Sequence, residues 1–162
     1  METSHKAPSL PFWHPAFWIG TAFGIGRLPF APGSWASLAA LPLAWGVTGA
    51  FGQAGLAVLA ILFVPVGIWA AGVYASAYEK TDPPAVVIDE VVAQWLVLSM
   101  VPREVLFYGL GFFFFRLADI LKPWPIRAIE RGLPGGFGIM ADDGMAAVYA
   151  IAGLLLVRFL LG

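Results

Sequence analysis

Five carboxylates stand inside or at the ends of apolar runs: Asp89 and Glu90 in VVIDEVVAQW, Asp119 in FFFFRLADILK, and Asp142 and Asp143 in GIMADDGMAA. The chain has no cysteine, and its two histidines, His5 and His14, precede the apolar runs, where surface roles suit them. A metal is therefore offered oxygen, and an oxygen set suits a hard cation such as Mg2+. Such an ion polarises a phosphoryl group and lowers the pKa of a bound water. Lys122 and Arg127 follow Asp119 and can hold phosphate, Arg through two parallel hydrogen bonds and Lys as a point charge. Arg116 lies three residues before Asp119 and can orient it. Gly20, Gly24 and Gly26 precede a helix start at Pro32-Gly33-Ser34, where Ser34 takes the N-cap position. Free N–H groups there favour an anion, which makes Gly24, Gly26 and Ser34 candidate phosphate contacts. The glycines of GGFG at 135–138 open in the same way towards the last helix.

Plainer readings compete with each of these. Arg116, Asp119 and Lys122 are spaced i,i+3 and can form ion pairs along one helix. Asp142 and Asp143 can be first-turn acids favoured by the helix macrodipole. Asp89 and Glu90 are harder to explain structurally, because they interrupt an apolar helix. Gln94, one turn after Glu90, either faces the same site or satisfies a helix partner. Trp124, between two prolines, reads as an interface anchor.

The elements that must position these residues are membrane-grade. The 162 residues are 60% hydrophobic and 12% charged, with mean hydropathy +0.83. A soluble domain is about 25% charged, so the expected class is an integral membrane protein. The net charge of −1, with no basic stripe or aromatic RNA-binding motif, sets nucleic acid aside. The absence of cysteine removes disulfides, thiolate metal sites and cysteine nucleophiles. Also missing are a histidine nucleophile on the apolar runs, a D-x-D-x-T motif, and the D-G…A-R…G…D…D pattern of lipid-alcohol phosphotransferases. Metal-assisted attack by water, or attack by an aspartate, remains.

Residues 1–11 are polar, short and unlike a signal peptide. Residues 12–30 are aromatic, interrupted by Gly and Pro, and suit a membrane interface. Apolar runs follow: to about residue 51, then 54–78 with a kink expected at Pro65, 85–101, 105–121 and 141–161. Polar turns at 79–84 and 102–104 and a loop at 122–140 separate the last four. The expected fold is all-α: one domain over 1–162, a compact multi-helix integral membrane bundle of four to five apolar helices plus an N-terminal interfacial segment.

Alternate loops carry Lys6, Arg27, Lys80, Lys122, Arg127 and Arg131 on one side, against Arg103 and Arg158 on the other. The positive-inside rule then puts the N-terminus, the 79–84 turn and the 122–140 loop in the cytoplasm. All five carboxylates, from three helices, fall at one depth on that side. A charge at mid-membrane costs about 3 kcal/mol on insertion scales. Arg116, Lys122 and Arg127 cannot neutralise five acids, and a bound cation would complete the balance.

These segments resemble the phosphatidylglycerophosphatase A family. The resemblance rests on GTAFGIGRLPFAPGSWASLAA (20–40), VIDEVVAQW (87–95), FRLADILKPWPIRAIER (115–131) and GGFGIMADDGMAA (135–147), more than a third of the chain in order. KPWPIR followed by GG-x-GIM-x-DD is the most specific part. The resemblance implies an all-α fold with a central helix surrounded by others. It also implies a Mg2+-dependent enzyme of the bacterial inner membrane. Such an enzyme converts phosphatidylglycerophosphate to phosphatidylglycerol and phosphate, the last step of phosphatidylglycerol synthesis. By position, Asp89, Glu90, Asp119, Asp142 and Asp143 would be its acidic catalytic and metal residues, and Lys122 and Arg127 its basic ones. A phosphatase for another lipid phosphate is the nearest rival. A non-enzymatic ion-binding or transport protein is the rival outside enzymes. It predicts midplane carboxylates and a repeat between halves, and the sequence has neither.

Overall fold

The computed structural model describes residues 9–161. Its elements are α1 (Pro15–Gly20), a short 3-10 turn (Ile25–Arg27), α2 (Pro32–Ala77), α3 (Ile88–Ser99), α4 (Val105–Leu121), α5 (Ile126–Gly132) and α6 (Gly135–Leu161). Among the described residues there is no strand.

The 46 residues of α2 do not form one rod. A straight helix of that length would separate residues 33 and 67 by about 51 Å, at 1.5 Å per residue. Instead Gly33 packs on the Glu90 carboxylate and Gly67 on Ile88, two residues away on α3. The chain therefore doubles back, and the place is Gly52, the one non-helical residue of α2, at φ 69° and ψ −179°. That backbone region is essentially open only to glycine. The two halves match the first two apolar runs. Pro65, where a kink was expected, keeps helical backbone, as does Pro42. A helical φ suits proline, and neighbouring helices in an apolar bundle can compensate the missing N–H.

Small residues let these helices close up. The first half of α2 buries Gly33, Ala36, Ser37, Ala40, Ala44 and Thr48, and the second buries Ala60, Gly67, Ala71 and Ala75. Spacing of four puts such residues on one stripe, the pattern of close packing between helices in membranes. Leu38, Leu43, Val58, Ile61, Leu62 and Trp69 point outward. α3 is the central helix: ten of its twelve residues are buried, and it contacts α2, α4 and α6. Trp95 Nε1 donates to the Ala40 carbonyl at 3.2 Å and its ring meets Phe63 edge-on, which links α3 to both halves of α2.

α2 and α6 are long and apolar enough to cross a membrane, and only 28% of each apolar window is buried in the protein. The core helix of a soluble protein would be mostly covered, so the outward apolar surface sets these helices apart. α3 and α4 are shorter, at 12 and 17 residues.

The expected 122–140 loop is largely helical. It contains α5, and α6 begins at Gly135, six residues before the expected start. Gly136 is helical because its bare Cα lies against the Ile68 carbonyl and the Gly72 amide, where a Cβ would collide. Packing there overrides glycine's weak helix propensity. Arg27, Lys80, Lys122 and Arg127 fall at the end of the bundle where α3 begins. Arg103 packs on Trp45 and Gly49 at the Gly52 end. Residues 1–8, with His5 and Lys6, and the Arg131 side chain lie outside the described residues.

Candidate active site

The carboxylates converge at the N-terminal end of α3. Asp89 and Glu90 occupy its first turn, Asp119 the last turn of α4, and Asp142 and Asp143 the third turn of α6. The last placement removes the macrodipole explanation. Asp142 and Asp143 lie seven and eight residues past Gly135, beyond the turn in which that effect acts. They are buried all the same, with Asp89 beside them.

Asp89, Asp142 and Asp143 each offer an oxygen within 4.8 Å of the others, close enough to ligate one ion. Asp89 faces Glu90, Asp142 and Asp143, and Asp143 faces Glu90, Asp119 and Asp142. Like charges at this spacing repel. The cations supply part of the balance. Arg116 Nη1 lies 2.5 Å from Asp119 Oδ2 and 3.9 Å from Glu90 Oε1, and Lys122 Nζ donates to Asp142 Oδ2 at 2.9 Å. The Asp143 amide donates to Asp142 Oδ1 at 2.9 Å. The Arg116–Asp119 pair expected along α4 is present, and Arg116 also reaches across to α3.

Donors run out at the centre. Asp89 Oδ1, Glu90 Oε2 and Asp143 Oδ2 are buried with no hydrogen bond among the described residues. Leaving a buried polar group unsatisfied costs about 1–3 kcal/mol, more for a charged one. The three aspartates within 4.8 Å of one another suit a divalent cation, and the unsatisfied acceptors beside them mark a site that the described side chains alone do not complete.

A cleft of about 230 Å³ opens onto this cluster. Arg116, Lys122 and all five expected carboxylates line it. So do Gly33 and Asp82, which the sequence reading left without a role. Gly33 is where α2 touches α3: a Cβ there would overlap the Glu90 carboxylate and crowd Arg116. The signal for it is a glycine following a proline that has already begun a helix. Asp82 comes from the polar turn after α2, and its one sequence signal is position, on the same side as the other acids. A wider cavity of about 760 Å³ adjoins the cleft, shares Asp82 and Asp142, and is walled by Thr81, Leu133, Pro134 and Ile139.

Four sequence candidates lie elsewhere. Ser34 is not the N-cap: Ala31 caps α2 in the left-handed region, Pro32 is its first residue, and Ser34 falls inside the helix. Gly24 sits at φ 94° in a turn held by Thr21, whose Oγ1 accepts from its amide at 3.0 Å. Gly26 packs under the Ala85 carbonyl, and Val87 N donates to Gly20 O at 2.8 Å. The glycine segment thus braces the chain that leads into Asp89. Arg127 is exposed and donates from Nη2 to the Leu121 carbonyl at 3.2 Å, next to Lys122. None of the four lines the cleft.

Outwardly apolar helices, buried carboxylates, two cations and a cleft at one end define a helical protein with a site suited to a cation and an anionic group. The comparisons with known proteins narrow the class. The family model described as phosphatidylglycerophosphatase A matches residues 18–158. A protein of Bacteroides thetaiotaomicron that carries the provisional name phosphatidylinositol-3-phosphatase is 37% identical over 89% of this chain and 94% of its own. The phosphatidylglycerophosphatase A of Escherichia coli K12 is 34% identical over 88% of this chain and 81% of its own. That of Haemophilus influenzae is 30% identical over 98% of both. No solved structure gives a significant match. The chain belongs to the phosphatidylglycerophosphatase A family, a family of phosphatases.

Proposed function

We propose that this protein is a Mg2+-dependent lipid phosphatase that hydrolyses phosphatidylglycerophosphate to phosphatidylglycerol and phosphate, the closing step of phosphatidylglycerol synthesis. The observation that carries the reading is the set of inward carboxylate oxygens without donors, flanked by Lys122 and Arg116. Asp89, Asp142 and Asp143 would hold the ion, with Glu90 and Asp119 beside them. When bound, Mg2+ supplies charge neutralisation and Lewis acidity at the phosphoryl oxygen. Lys122, paired with Asp142 at the cleft wall, would draw the phosphate in. Arg116 holds Asp119 and Glu90 in place. Glu90 and Asp119 would take the proton from attacking water, as general bases do.

The whole chain would act as one domain in the bacterial inner membrane. α3, α4, α6 and the two halves of α2 would form a multi-pass bundle of four to five apolar helices, with the cleft on the cytoplasmic side. The bilayer then retains the acyl chains, and only the head group has to reach the carboxylates. Exposed Phe12, Trp13, Phe23 and Phe30, close in sequence to the cleft end of α2, support an interface at that level.

A second reading keeps the site and changes the head group. The Bacteroides relative's name points to a phosphoinositide, and the adjoining cavity has room for a polyol larger than glycerol. The test is phosphate release by purified protein from phosphatidylglycerophosphate, phosphatidylinositol 3-phosphate and phosphatidic acid, each with and without chelator. The proposal expects the first substrate to have the highest kcat/KM and chelator to abolish release. Preference for the inositol lipid would move the assignment to the second reading.

A further inference from the structure

Seven buried side-chain polar atoms lack a hydrogen bond among the described residues, and five of them belong to Asp89, Glu90, Arg116 and Asp143 of the cleft. The other two are both ends of one amide, Gln94 Nε2 and Oε1. Gln94 is 0% exposed. The other buried neutral polar side chains are satisfied: Thr21 donates to Phe17 O, Ser37 to Gly33 O and Ser99 to Leu96 O, while Thr48 pairs with Tyr108. Among the described residues Gln94 is thus the one buried neutral side chain left without a hydrogen bond, on a helix that also buries Val91, Val92, Val97 and Leu98.

Its position gives the amide an address. Gln94 lies one turn beyond Glu90, on the same face of α3. Ser37 lies one turn beyond Gly33 on α2, and Gly33 is what touches Glu90. On α6, Ala147 lies one turn beyond Asp143 and is buried, with no bulk of its own. One helical turn from the carboxylates, on three helices, thus stand an unpartnered amide, a hydroxyl with acceptor capacity to spare, and a small side chain. A buried water needs about 2–4 polar partners. Glu90 Oε2, Asp143 Oδ2, Ser37 Oγ and the Gln94 amide supply that many.

Resting on the phosphatase reading above, we propose that Gln94 is a positioning residue forming the floor of the site. Its amide anchors, through a buried water, the inner oxygens of Glu90 and Asp143, so that the carboxylates are already set for the cation. Arg116 Nη1 lies 3.9 Å from Glu90 Oε1, an ion pair without a hydrogen bond, and Gln94 serves the other oxygen, Oε2. An amide suits this place better than a further acid, because Nε2 donates to a carboxylate without adding charge to the cluster.

The test compares wild type, Gln94→Met and Gln94→Asn in detergent. Two quantities are measured: the shift of the thermal midpoint on adding Mg2+, and kcat, KM and the apparent Mg2+ activation constant for phosphate release. Methionine keeps the volume and removes the amide, so the metal-free midpoint should hold or fall slightly. The Mg2+-induced shift should fall by at least half, and the activation constant should rise about tenfold with lipid KM unchanged. Asparagine withdraws the amide by one methylene and should show the same changes in smaller degree, which keeps the test decisive if the methionine variant does not fold. A wild-type Mg2+ shift and activation constant in whichever variants fold would overturn the role of Gln94 and leave the phosphatase standing. A wild-type protein that neither releases phosphate nor responds to Mg2+ would overturn both.

Discussion

Five of the six acids at the cleft stand where an apolar residue would be the stable choice, and that made those five legible in the sequence. Asp89, Glu90, Asp119, Asp142 and Asp143 each interrupt an apolar run, and the structure brings all five to one cleft. The residues that escaped were those whose job is defined by a neighbour distant in sequence. Gly33 matters because Glu90 lies against it, and a glycine after the proline that opens the helix signals a close approach without naming its partner. Asp82 looked like turn chemistry because it stands before two prolines. Ser34 was misread because Pro32 had already started the helix. The two basic candidates separate at this scale. Lys122 lines the cleft, whereas Arg127 braces the carbonyl of Leu121 beside it. Lys122→Ala is expected to lower kcat/KM for phosphatidylglycerophosphate by about a hundredfold, in the range seen for loss of one charge-stabilising group at an active site. Arg127→Ala should lower it only a few-fold, by loosening the helix end that carries Lys122. Steady-state kinetics on the two variants checks this, and equal losses would return Arg127 to direct phosphate contact.

At the scale of elements, the decisive feature is the reversal at Gly52. It folds 46 residues into two antiparallel helices, so that Gly33 and Gly67 reach the same end of α3. The apolar runs, their order and the 105–121 helix could be read from hydropathy. The early start of α6 could not, because glycine in 135–138 signals a loop locally and close packing globally. The backbone at Gly52, φ 69° with extended ψ, is strained for any residue with a Cβ, at a cost of about 1–3 kcal/mol. Gly52→Ala is therefore expected to lower the thermal midpoint in detergent by several degrees while leaving KM of the folded fraction unchanged. Differential scanning fluorimetry with activity measured on the same sample checks it.

At the scale of the whole molecule, the proposed function requires that the cleft end of the bundle face the cytoplasmic leaflet. The loop charges divide between the two ends, with Lys80, Lys122 and Arg127 at the cleft end and Arg103 at the Gly52 end. Because the chain has no cysteine, single substitutions give an unambiguous readout. In intact cells, Arg103→Cys should react with an impermeant maleimide, and Lys80→Cys should react only after permeabilisation. The reverse pattern would invert the proposed topology. Within that topology, the proposed function rests on three buried aspartates holding a Mg2+ that the hydrolysis needs. The most direct measurement is phosphate release from phosphatidylglycerophosphate across a Mg2+ titration, for wild type, Asp89→Asn and Asp143→Asn. Wild type should be silent in chelator and recover on adding Mg2+, and each variant should stay below about 1% of wild-type kcat at saturating Mg2+, the loss expected when a preorganised charge is removed. Near-normal turnover by both variants, or full wild-type turnover in chelator, would contradict the account.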